Sequence, residues 1–329
     1  MRVSRIRAYA GCCVVGFTVF LSGCGGGGSS PSVGNSLVVE PMKLADGSTW
    51  SVGLVRDDGL VYGKQGSTGF VQPDSIWPSP GQFVTIPKID DKAVFQNLDG
   101  VSADQQTILG STIDINNSGG PGRAFVYGRK TGTFQMLQIA SSDQDAPYPE
   151  SIQADGTIVG WTQAPNNYGI GGQQFVYNLS TNTYTLTTPP YWSGNPNFPQ
   201  GATVQGSCSS PNSRFVGGSL ILNGHDQAAI WDMQTATYRL VGPKDGGYQA
   251  THVSNDGATA IINSNRIGQP YFLLHAGKLT DLISLCQSQG IGANWQWLTF
   301  VSLSPSGNYL TFTGIAGGAF GNAVRIRVY

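Results

Sequence analysis

Charge is what this chain has least of. Asp, Glu, Lys and Arg make up 11% of its 329 residues and leave a net charge of −1, where about a quarter is usual. With no basic cluster to neutralise phosphates along one face, nucleic acid is excluded as a partner. Histidine is almost as scarce: His225, His252 and His275 stand far apart, without an H-E-x-x-H pair, which argues against zinc catalysis. There is no G-x-S-x-G, so a nucleophile elbow is missing as well. No apolar run is long enough to span a bilayer; the longest, GCCVVGFTVFL ending at Leu21, has about half the length required.

Glycine and short apolar runs are plentiful instead. There are 46 glycines, and 40% of the chain is hydrophobic, too much for low-complexity disorder. The surface must be built from Asn, Gln, Ser, Thr and Tyr, as suits an exported β protein.

The first residues carry three arginines, Arg2, Arg5 and Arg7, before the apolar run, the pattern of a secretory signal. Leu21-Ser22-Gly23-Cys24 then resembles the lipobox of bacterial lipoproteins, with Cys24 implied as the acylated first residue after cleavage. The alternative is an ordinary signal in which Cys24 is incidental. GGGGSSPS follows as a flexible tether. Gly25, where an aspartate often retains such proteins in the inner membrane, leans the expected location toward the outer membrane of the cell envelope. The expected organisation is therefore residues 1–23 signal, 24–35 acylated cysteine and tether, and 36–329 one domain.

That domain repeats. RDDGLVYG, VSADQQTILG, IQADGTIVG, SSPNSRFVGG, VSNDGATAII and LSPSGNYLTF each join a turn to an apolar strand. Their markers Asp58, Asp104, Asp155, Asn212, Asp256 and Ser306 recur at intervals of 44 to 57 residues. Asp-Gly is a tight hairpin signal. Further strands follow in most units, as in RAFVYG with TFQMLQI and QAAIWD with TYRLVG. Four strands per unit at this period predict an all-β, six-bladed β-propeller of four-stranded antiparallel blades. SLVVEPMK, from Ser36, resembles TYRLVGPK and is expected to close the ring as the outer strand of the last blade.

The RAFVY, QQFVY and QAAIW steps resemble the HAF-type extracellular repeat family of bacteria, without its histidine. The resemblance implies a secreted or surface-exposed propeller and no particular chemistry. The SPSG turn from Ser304 looks, more weakly, like that of the Tol-system propellers.

Function is thinly written. No cofactor, metal or catalytic set is expected; DINNSGG from Asp114 begins like a calcium loop but has Phe125 at the last ligand position and reads as a polar turn. The links between units carry Tyr148, Tyr191, Trp192, Phe198, Tyr248, Trp295 and Trp297 among amides. Gathered on one face of a monomeric propeller, they would suit a protein, a peptide or a neutral glycan partner, unless they pack beneath the loops. The alternative class is a propeller enzyme acting on an envelope polymer, with acid groups near the channel, such as Asp99 and Glu150, doing acid–base work. Cys208 and Cys286 are even in number but are expected at different levels of their blades, as two separate buried thiols.

Overall fold

A computed structural model describes residues 37–42, 50–65, 74–77, 83–84, 87, 89–90, 93–114, 123–139, 147–162, 173–187, 203–244, 246–264 and 270–329. All belong to the compact unit Asn35–Tyr329. The signal, Cys24 and the tether lie outside the described residues, as do Tyr191, Trp192, Phe198 and the turn of DINNSGG beyond Asp114.

Strand β1 is Leu37–Met42. The first repeat then supplies β2 (Trp50–Val55), β3 (Val61–Gln65), β4 (Asp74–Trp77) and β5 (Phe83–Val84). The second supplies β6 (Ala93–Val101), β7 (Thr107–Asp114), β8 (Ala124–Gly128) and β9 (Thr133–Met136). In the third come β10 (Tyr148–Ile152), β11 (Thr157–Trp161), β12 (Gln174–Asn178) and β13 (Thr183–Thr187). The fourth holds β14 (Thr203–Ser209), β15 (Phe215–Leu222), β16 (His225–Asp232) and β17 (Thr237–Lys244). The fifth holds β18 (Tyr248–Val253), β19 (Ala260–Ser264), β20 (Phe272–His275) and β21 (Lys278–Asp281), followed by helix α1 (Leu282–Ser288). The last repeat has β22 (Trp297–Leu303), β23 (Tyr309–Ala316) and β24 (Ala319–Val328).

Each repeat folds into its own four-stranded antiparallel sheet, and β1 pairs with β24 in the sheet of the last repeat. The chain is an all-β propeller of such blades. Apolar residues between the sheets form its core, among them Trp161, Phe175, Tyr177, Phe125 and Phe312.

The repeated turns share one construction. The marker side chain accepts a hydrogen bond from the backbone N–H two residues on: Asp58 from Leu60, Asp104 from Gln106, Asp155 from Thr157, Asn212 from Arg214, Asp256 from Ala258 and Ser306 from Asn308. The residue after each marker has positive φ. Four of these residues are glycine, which bears that conformation without strain. Gln105 and Ser213 adopt it at φ 61° and 60°.

The turns also bond to one another across sheets. Arg56 donates to the Ser102 and Ala103 carbonyls, Gln153 to Pro211 O, Asn212 N to Asn255 Oδ1, Asn255 N to Pro305 O, and Ser306 N to Asp57 Oδ1. Arg325 of β24 reaches the Gly59 carbonyl and pairs with Glu40 of β1 at 2.6 Å.

Helix α1 was not anticipated, since seven residues are too few for a periodic signal. Asp281 caps it, accepting from the Ile283 and Ser284 amides at 3.0 and 3.2 Å. Its Cys286 is buried, as is Cys208 on β14, and neither thiol is bridged.

Candidate functional site

The strand that leads into each turn carries a β-bulge at one repeated position. Pairing shifts between Val52 and Leu54, Leu98 and Gly100, Pro149 and Ser151, Gly206 and Cys208, Ala250 and His252, and Thr299 and Ser302. The residue five before each marker falls in every one of these shifts: Gly53, Asp99, Glu150, Ser207, Thr251 and Val301. A bulge leaves its residue out of the ladder and re-aims it. The neighbouring strand makes room with glycine in four sheets, where Gly63, Gly110, Gly160 and Gly218 face Val52, Leu98, Pro149 and Gly206 just before the shift.

Gly53, Asp99, Glu150, Thr251 and Val301 line one cavity of about 360 Å³. A second, of about 460 Å³, shares Asp99 and Glu150 and runs on to the turns, where it meets Arg56, Asp58, Ala154, Asn212 and Pro305. The two carboxyls thus stand where the cavities meet.

Glu150 keeps partial access to this space, yet protein surrounds it. Burial pushes its carboxyl up to about 8 against the pull of the Ser209 amide and the Trp161 side chain, and the charge of Asp99 pushes the same way. The Ser209 N–H donates to Glu150 Oε2 at 2.8 Å. The carboxyl is therefore largely protonated at neutral pH. His252 lines the smaller cavity, and burial holds its imidazole down to about 4, so it is neutral there. The Cys208 thiol, also on that wall, is pushed up by burial and by Glu150, which makes it a poor nucleophile. Among the described residues no group of three or more His, Cys, Asp or Glu side chains is placed to hold a metal ion.

Of the aromatic residues expected to form a contact face, the four that are described differ in exposure. Tyr148 opens β10 and is 44% exposed. Trp297 opens β22 half-buried. Tyr248 and Trp295 are only 4% and 7% exposed, which corrects their expected role in partner contact. Tyr248 packs on Phe272, with ring centroids 5.7 Å apart, and Trp295 on Phe312 at 6.2 Å. A Cβ at Gly292, Gly314 or Gly321 would strike the Trp295 indole, so these glycines form its slot. Both belong to hydrophobic core clusters, Tyr248 with Ala250 and Ile262 and Trp295 with Leu298 and Phe312.

Asp99 and Glu150 do come together. Their five-residue offset from the markers was visible in sequence, but the bulge that aims them was not. The larger cavity reaches the turn end of the blades, whereas Tyr148, Tyr248 and Trp297 begin their strands at the other end.

No protein-family model matches the chain, and no curated protein does. Solved structures do. Oligogalacturonate lyase of Vibrio parahaemolyticus aligns with a TM-score of 0.50 and 10% identity, over 88% of this chain and 98% of that one. TolB of Acinetobacter baumannii aligns with a TM-score of 0.47 and 11% identity over 85% of this chain, which spans 64% of the TolB chain. SapL1 lectin in complex with alpha methyl fucoside aligns at 0.44 and 10%, over 84% of this chain and 96% of that one. At these identities the likeness is one of fold, the β-propeller.

Proposed function

We propose that the protein is a lipid-anchored propeller of the bacterial cell envelope that binds a protein, peptide or glycan partner at its central cavity without transforming it. The observation that carries this reading is the cavity itself, lined by five bulge positions that each hold a different residue while the turns around them are built alike. A scaffold repeated for stability has no need of such variety; a binding wall does.

The finer architecture belongs to the same proposal. The six sheets form one ring of six blades, and β1 closes it as the outer strand of the last. The pairing of β1 with β24 and the bond from Ser306 to Asp57 support this. The lipobox ending at Cys24 supports an acylated, outer-membrane-facing anchor, and the RAFVY steps support a place among HAF-type repeats.

The test is retention of envelope fragments by the detergent-purified full chain, with peptidoglycan, glycan and peptide pools analysed for both binding and product. Retention without product is expected. The meeting of Asp99 and Glu150 favours one second reading, acid–base cleavage of an envelope polymer; new product that disappears in Glu150→Gln would establish it.

A further inference from the structure

We infer that the cavity binds a primary ammonium group on an aliphatic stem, seated between the Asp99 and Glu150 carboxyls and the apolar wall across from them. This rests on the partner-binding reading above and gives it a ligand class.

Three observations converge. The first is room: about 460 Å³ at the turn end lies within the roughly 300–1,000 Å³ of small-ligand sites. The second is the asymmetry of the bulge positions. Carboxyls occupy two adjacent repeats, while Gly53, Thr251 and Val301 elsewhere on the wall are small or uncharged. Gly53 leaves that side open, since a Cβ there would approach only the Tyr62 carbonyl, at 3.6 Å. The third is the composition of the wall. Leu54, Val301 and Leu303 line it, and among the described residues of that wall there is no Trp, Tyr or Phe, so it offers less of the stacking platform that sugars favour and more of a surface for methylenes.

The charges fit a cationic guest. Arg56 is the one cation among the described residues lining the larger cavity, and it is held by Asp58 at 3.0 Å and by the Ser102 and Ala103 carbonyls. Around Glu150 stand Asp99 from β6, Trp161 from β11, Cys208 and Ser209 from β14, and the neutral His252 from β18. None of these supplies a positive charge. A guest ammonium would take the place of the Glu150 proton and draw that carboxyl into its ionised form.

Lysine side chains, peptide amino termini and amino sugars all present such an amine. Calorimetric titration of the full chain in detergent with N-acetyl-lysine methylamide, alanine amide and glucosamine separates these sources. N-acetyl-norleucine methylamide, the uncharged match for the lysine probe, serves as the control. Saturable binding of at least one amine is expected, absent for the control. The lysine probe, whose amine stays protonated, should bind about tenfold tighter at pH 9 than at pH 7, whereas an α-amine or amino-sugar probe should weaken as its own amine loses its charge at about pH 8. Asp99→Asn and Glu150→Gln should each weaken it at least tenfold. Gly53→Leu, which narrows the cavity from the repeat next to that of Asp99, should weaken it too. Thermal melting of each variant confirms that it folds. Lack of binding by all three amines, equal binding of the norleucine control, or unchanged binding in a folded Gly53→Leu variant would overturn the inference. If envelope fragments are still retained in that case, only the ligand class fails; if they are not, the partner-binding reading fails with it.

Discussion

Glu150 Oε2 accepts a hydrogen bond from the Ser209 backbone at 2.8 Å, joining the inner strand of one blade to that of the next. Because this carboxyl titrates near 8 and not near 4.5, the seam it holds is sensitive to pH. A raised folded pKa means the stabilising contribution is complete below pH 4.5 and is lost as the pH rises through 8. His252, lowered to about 4, acts in reverse: its contribution is complete above pH 6.5 and is lost as the pH falls toward 4. These two groups place greatest stability near pH 5 to 6.5. Thermal melting across pH 4 to 9 checks this, and Glu150→Gln should flatten the alkaline side alone. An unchanged alkaline slope in that variant would remove Glu150 as its cause.

The clasp between β1 and β24 leads to a second expectation. Arg325, 8% exposed in its side chain, pairs with Glu40 at 2.6 Å and also donates to Gly59 O in the first repeat. Removing one partner of a buried pair leaves the other uncompensated. Glu40→Ala should therefore destabilise by about 2–4 kcal/mol, whereas breaking the more exposed Arg214–Asp232 pair should cost under about 1 kcal/mol. Chemical denaturation of the two variants makes the comparison, and equal midpoints would show that β1 is not held by this contact.

Glycine opposite the bulges can be tested at Gly160. A Cβ there would overlap the Tyr148 carbonyl and the Phe175 ring, so Gly160→Ala should destabilise by about 1–3 kcal/mol through overpacking. At Gly132 no heavy atom lies within 4 Å of an added Cβ, although φ there is +66°. Gly132→Ala should cost only the strain of its turn, roughly 1 kcal/mol, and the order of the two denaturation midpoints tests the packing argument.

Cys208 and Cys286 are buried and unbridged, with burial raising both thiols, Cys286 to about 12. Alkylation of the native protein should leave both unlabelled, and alkylation of the denatured, unreduced protein should label both, as read by peptide mass. Failure to label either after denaturation would mean that they are bridged.

The proposed anchor makes a separate expectation. If Leu21-Ser22-Gly23-Cys24 acts as a lipobox, the mature chain should partition into detergent with the added mass of acyl groups, and Cys24→Ala should abolish both. An intact mass showing an unacylated chain would sink the assignment.

The repeated turns were legible in sequence because their chemistry is local. A marker side chain bonds an amide two residues away, and the next residue needs positive φ, so Asp-Gly and its variants carry the hairpin wherever they occur. Alternating apolar runs likewise announced the strands and hence the blades. Less was legible where contacts are distant. Strand β5 has two residues and α1 seven, both too short for any period to show. The aromatic residues looked alike in sequence, yet neighbouring glycines closed a slot over Trp295 and Phe272 covered Tyr248, while Tyr148 was left in solvent. The sequence alone determined the repeat and its turns, since each is written within a few adjacent residues. Only the tertiary structure decided that Asp99 and Glu150 share a cavity, because a bulge's direction depends on pairing with the next strand and its neighbours depend on how whole blades pack.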